Sequence, residues 1–99
     1  MLNILKTKEN ANVRIALEGR LDTTTAPELE AALKEALDGA TSLTLDMEKL
    51  EYISSAGLRV LLATQKIMNR QGEMKVVRVG ETVMEVFEVT GFSEILTIE

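Results

Sequence analysis

The sequence predicts an α/β domain: a mixed, mostly parallel β-sheet of about 4–5 strands flanked by three or more helices, in the order β-β-α-β-α-β-α-β. Three observations carry that prediction. Val13, Ile15 and Leu17, and again Leu43, Leu45 and Met47, recur at every second position, as in strands. Leu29, Ala32, Leu33, Ala36 and Leu37, and later Val60, Leu61, Thr64, Ile67 and Met68, recur at helical spacing. After an opening pair of strands the two patterns alternate, which implies parallel neighbours joined by right-handed crossovers. The 99 residues are an ordinary length for one domain, taken as residues 1–99.

Residues 2–7 mix apolar and polar types and read as a short strand. Glu9-Asn10-Ala11-Asn12 is a turn, since Asn tolerates unusual backbone angles. The strand over Val13–Glu18 follows so closely that the two form a hairpin. Thr25 and Glu28 fit a capping box for the first helix, and Pro27 falls in its first turn, where a missing N–H costs nothing. Gly39 ends that helix. Residues 42–47 form the third strand, and the second helix runs from about Ala56 to Arg70. Residues 73–79 make a fourth strand. Thr82 and Glu85 repeat the capping pattern for a third helix, whose stripe is Val83, Val86, Phe87 and Thr90 and whose stop is Gly91. Phe92 folds back on the core, and Ile95–Ile98 reads as a last short strand.

Composition narrows the chemistry. With 45% hydrophobic residues but only one Tyr, two Phe and no Trp, the core is aliphatic. There is no Cys and no His, which removes disulfides, thiolate metal or redox sites, and the commonest general base and zinc ligand. The net charge of −5 argues against direct nucleic-acid binding, which needs a basic face. No apolar run is long enough for a membrane span, which takes about 18 residues. The N-terminus lacks the pattern of a signal peptide, so the expected location is cytoplasmic.

The chain is organised around Tyr52-Ile53-Ser54-Ser55-Ala56-Gly57-Leu58, where a strand hands over to a helix. Ser is favoured at helix starts because its oxygen accepts from orphan backbone N–H groups, so either serine has a purely structural reading as a cap. The helix that follows carries more apolar residues than one face needs. Leu58 and Leu62 point away from the centre of its core stripe, and Arg59, Lys66 and Arg70 form a narrow stripe of their own. Two readings follow. Either the leucines lie under a neighbouring element, or they form an apolar ridge edged by positive charge that binds a partner.

Glu18-Gly19-Arg20-Leu21-Asp22, Leu43-Thr44-Leu45-Asp46-Met47 and Tyr52 to Leu58, at these spacings, together resemble the STAS domain family, and within it the bacterial anti-sigma factor antagonists (anti-anti-sigma factors). Glu18-Gly19-Arg20-Leu21-Asp22 resembles the family's Gly-x-Leu-Asp segment after the second strand. Leu43-Thr44-Leu45-Asp46-Met47 resembles its central strand. Tyr52 to Leu58 resembles its signature, typically aromatic-aliphatic-Asp-Ser-Ser/Thr/Ala-Gly-Leu. The order and length of the elements match over nearly the whole chain. The family's regulated serine directly follows the signature Asp and falls on Ser55. The Asp position itself is Ser54 here, a departure that makes Ser54 a competing phosphorylation site.

The resemblance implies a single STAS-like domain that is a ligand and a kinase substrate, not an enzyme. The unphosphorylated form binds an anti-sigma factor with serine kinase activity and frees the sigma factor. Phosphorylation of Ser55 switches the binding off, and a serine phosphatase restores it. No cofactor is implied for the domain itself; ATP and Mg²⁺ serve the partner kinase. A monomer is expected. The implied partner-binding set is Asp22, Ser54, Ser55, Gly57, Leu58, Arg59 and Leu62. Asp22 has a competing reading as a turn former, and Gly57 as a packing glycine against Asp46 or the sheet. A catalytic serine is disfavoured independently: Ser54-Ser55-Ala56-Gly57 lacks the first glycine of Gly-x-Ser-x-Gly, and no His is available as base. No Gly-rich phosphate loop is present either, so nucleotide binding by the domain is not expected. The alternative function is a STAS binding subunit of another signalling or lipid-transport complex, without sigma-factor control.

Overall fold

The computed structural model describes residues 1–99. The elements are β1 (Leu2–Glu9), β2 (Asn12–Leu21), α1 (Ala26–Ala36), β3 (Ser42–Ile53), α2 (Ser55–Gln71), β4 (Glu73–Val77) and α3 (Glu81–Thr90), followed by one 3₁₀ turn over Phe92–Glu94. The sheet order is β1-β2-β3-β4. β1 and β2 are antiparallel, joined at Asn10-Ala11 with Glu9 opposite Asn12; β2–β3 and β3–β4 are parallel. Asn10 takes a left-handed φ of 58°, the conformation that Asn tolerates in a turn.

Alternation along the strands divides the two faces of the sheet. Val13, Ile15, Leu17, Leu43, Leu45, Met74 and Val76 are buried and join the buried residues of all three helices in one continuous core. Arg14, Ala16, Thr44 and Asp46 alternate with them and lie on the other face. That face is held by charge. Asp46 accepts from Arg14 Nη2 at 3.0 Å, from Arg78 Nε at 3.2 Å and from the Glu48 amide at 3.1 Å, with a further ion pair to Arg78 Nη2. The Arg78 guanidinium, more than any other group, holds the Asp46 carboxyl down at about 2.

β3 runs six residues beyond the predicted end at Met47, to Ile53. Its register against β2 shifts twice, between Ala16/Glu18 and Gly19/Arg20. These bulges break the strict alternation, so Glu48-Lys49-Leu50-Glu51 does not look like strand in the sequence. β4 stops two residues early because Arg78 turns left-handed, φ 53°. The predicted last strand is reduced to one parallel bridge, Ile98 to Val76, since the 3₁₀ turn leaves only the final residues extended.

Neither predicted capping box forms. Thr25 stands at the N-cap of α1, but its hydroxyl donates to the Arg20 carbonyl (2.9 Å) and accepts from the Asp22 amide (2.8 Å) instead. Thr82 lies inside α3, which begins after Gly80. The stop at Gly91 is as expected, with a left-handed φ of 82°. Phe92 packs partly buried against the core.

Candidate functional site

The site forms where β2 and β3 end side by side. Leu21 pairs with Ile53, so the next residue of each strand, Asp22 and Ser54, leaves the same edge of the sheet. The Ser54 amide donates to the Leu21 carbonyl at 2.9 Å, which ties the start of α2 to the end of β2. This is the carboxyl edge of parallel strands, where α/β sheets characteristically place their binding sites.

Ser54 is the N-cap of α2. Its backbone is extended (φ −100°, ψ 176°) and its Oγ accepts from the Gly57 amide at 3.4 Å, a long cap bond. Ser55 is the first helical residue, one earlier than predicted, and is exposed. Its hydroxyl makes no hydrogen bond within the protein. The two serines therefore differ: one closes the helix end, and the other presents a free hydroxyl beside unpaired first-turn amides.

Asp22 has the turn role. Its Oδ1 accepts from the Thr24 hydroxyl (2.8 Å), the Thr24 amide (3.0 Å) and the Thr25 amide (3.1 Å). The Thr24 hydroxyl, foremost among these donors, lowers its carboxyl below the ordinary value. Oδ2 takes part in none of these bonds.

Two residues of the predicted partner-binding set belong to the core instead. Gly57 is buried, and a Cβ there would come within 2.7 Å of Leu21 Cγ and 2.9 Å of Ile53 Cγ1. Its missing side chain lets α2 seat on the two strand ends rather than admitting a partner from outside. The sheet, not Asp46, is what it packs against. Leu58 is 6% exposed and follows Gly57 inward. The helix is rotated relative to the predicted core stripe: Leu58 and Gln65 turn in, while Ile67, expected inside, is 43% exposed. The contact line through Gly57, Leu61, Thr64 and Met68 sets that rotation.

Ser55, Arg59 and Leu62 remain on the outside. At 100° per residue they fall within a 60° arc, together with Lys66. Ser55, Arg59 and Lys66 are exposed and Leu62 is half-buried. Beside them a shallow groove of about 140 Å³ opens between the first turns of α1 and α2, lined by Thr23, Pro27, Glu30, Ala56 and Val60 among others. The sequence reading missed one contact at this edge. The Arg20 guanidinium lies 4.4 Å from the centre of the Tyr52 ring, stacking the residues two positions before Asp22 and Ser54 on one another. Their pairing across the sheet depends on the β3 bulges, which no local pattern announces.

Comparison with known proteins places the chain among related folds. The family model described as "Mlab, STAS domain" matches residues 4–97. BtrV of Bordetella bronchiseptica, by its name a candidate anti-sigma factor antagonist, is 40% identical over 84 residues, covering 83% of this chain and 72% of BtrV. The anti-sigma-B factor antagonist of Staphylococcus aureus is 29% identical over 99 residues, covering 98% of this chain and 92% of that protein. The crystal structure of an anti-sigma factor antagonist from Mycobacterium paratuberculosis superposes with a TM-score of 0.90 at 24% identity, over 99% of this chain and 85% of that one.

Proposed function

Because this chain belongs to the STAS domain family, we propose that it is an anti-sigma factor antagonist whose binding is switched at Ser55. The observation that carries the reading is the free, exposed Ser55 hydroxyl at the first turn of α2, next to a neighbour that already caps the helix. The unphosphorylated form binds an anti-sigma factor through Asp22, Ser55, Arg59 and Leu62, and the sigma factor is released. The partner, a serine kinase, transfers the γ-phosphoryl group of ATP to Ser55 Oγ; the hydroxyl proton leaves and ADP is the product. A serine phosphatase reverses the modification in the cytoplasm. The domain supplies no catalytic group of its own.

The switch needs no rearrangement of the fold. Phosphate brings roughly −1.5 to −2 charge, and at a helix N-terminus it meets unpaired amides and the positive end of the dipole. The partner surface meets it differently. A like charge about 4 Å away costs roughly 4 kcal/mol at an effective dielectric near 20, or about a thousandfold in affinity.

The function is tested by displacement. Unphosphorylated protein added to a purified complex of sigma factor and anti-sigma factor from the same genome is expected to release the sigma factor, read by gel filtration. Failure to displace it from any such complex would favour a STAS subunit of another signalling or lipid-transport assembly.

A further inference from the structure

We propose that the outer stripe of α2 is a docking surface for an acidic face of the protein partner, an inference that rests on the antagonist reading and specifies its partner's chemistry. α2 runs for 17 residues without a single Asp or Glu, in a chain of net charge −5. Its three cations, Arg59, Lys66 and Arg70, are all exposed. None of the protein's ion pairs includes them; those pairs involve Arg14, Lys49, Lys75 and Arg78. At 100° per residue the three fall within a 40° arc, with Leu62 and Ala63 flanking them and Ser55 at the head. The stripe from Ser55 to Arg70 spans 15 residues, about 22 Å along the axis.

Three unpaired cations aligned on a helix face, in an otherwise acidic molecule, have no partner inside the protein. Charge complementarity supplies one outside it: a carboxylate-bearing edge of similar length. The same pattern disfavours nucleic acid and anionic bilayers, because extended polyanions meet the repulsion of the whole molecule while a limited acidic patch meets only the stripe. Apolar contact at Leu62 and Ala63 provides a small dry centre between the charges. This also gives the switch its source of repulsion. A phosphate on Ser55 stands one turn before Arg59 on the same face. It both opposes the arriving carboxylates and offers Arg59 an anion within the chain.

The experiment compares two charge-reversed variants in titrations against the purified anti-sigma factor from which wild type displaces the sigma factor. Arg59→Glu with Lys66→Glu reverses the stripe. Lys6→Glu with Lys8→Glu makes the same charge change on exposed β1. Thermal melts of both variants verify that the fold is kept. Wild-type affinity is expected to fall with added salt; the α2 variant is expected to bind at least about tenfold more weakly at low salt and to lose most of the salt dependence. The β1 variant is expected to stay close to wild type. Equal weakening by both variants, or none by the α2 variant, overturns the docking surface while leaving the antagonist function standing. Wild-type binding to phosphatidylglycerol vesicles that is lost in the α2 variant, with anti-sigma affinity unchanged, overturns it in favour of a lipid surface. No binding of wild type to any anti-sigma factor removes the function and this surface with it.

Discussion

The Ser54 amide donates to the end of β2 and its hydroxyl accepts from the Gly57 amide, so Ser54 is bound into both sheet and helix. Ser55, one residue on, is bound into neither through its side chain. Replacement should separate the two. Ser54→Ala removes a cap, and because the bond is long the expected cost is at the lower end of the usual range, about 0.5–1 kcal/mol. Ser55→Ala is expected to change stability by less than about 0.5 kcal/mol, as for other exposed positions without partners. Denaturant melts of the two variants check this; a larger loss for Ser55→Ala would make Ser55 the cap. Two adjacent serines before an apolar-periodic run announce a helix start in sequence. Which of them caps is decided by where the first helical turn closes, and the residue types are identical.

At the scale of the element, the decisive feature of α2 is how it is rotated on the sheet. Periodicity correctly placed a helix over these residues and a basic stripe on its outside. It also set Leu58 away from the centre of the core stripe, leaving open whether a neighbouring element covers it, and placed Ile67 within the stripe; in the structure Leu58 is buried and Ile67 is exposed. The hydrophobic pattern here is broad enough to allow either rotation. What fixes it is a contact in three dimensions, Gly57 against Leu21 and Ile53, two residues brought opposite each other only by the bulged pairing of β2 and β3. Gly57→Ala tests that contact. Ala gains about 1 kcal/mol of helix propensity over Gly. A methyl group so close to Leu21 and Ile53 forces those side chains to shift, at a typical cost of about 1–3 kcal/mol. The balance is expected to be destabilising, seen as a fall in Tm of several degrees; a rise in Tm would show that the seat is loose. The strand side of the same junction was legible only to Met47, because bulges remove the alternation by which a strand is recognised.

On the scale of the whole molecule, the order of elements through α3, the hairpin and the parallel crossovers were legible from the alternating strand and helix patterns and the short Glu9–Asn12 turn; the last strand expected over Ile95–Ile98 is a single bridge instead. The cluster of Arg14, Asp46 and Arg78 on the face away from the core was not legible, although Asp46 stood at a polar-side position of its strand. It depends on residues 32 positions apart and on the left-handed turn at Arg78. The resulting body is a platform packed around one continuous core. One sheet face carries the core, and the carboxyl edge carries Asp22, Ser54 and Ser55. α2 presents its cations outward from that edge. Under the proposed function, such a platform changes its binding by changing one charge, without moving an element.

The most direct test of this account combines modification with binding on one sample. The protein is incubated with its cognate anti-sigma factor kinase, ATP and Mg²⁺, the phosphate is located by mass mapping, and the affinity of the modified form is measured. One phosphate, on Ser55, with affinity reduced by about a thousandfold is the predicted result. Phosphate on Ser54 alone, no phosphate at all, or a Ser55-phosphorylated form that binds as tightly as before would contradict it.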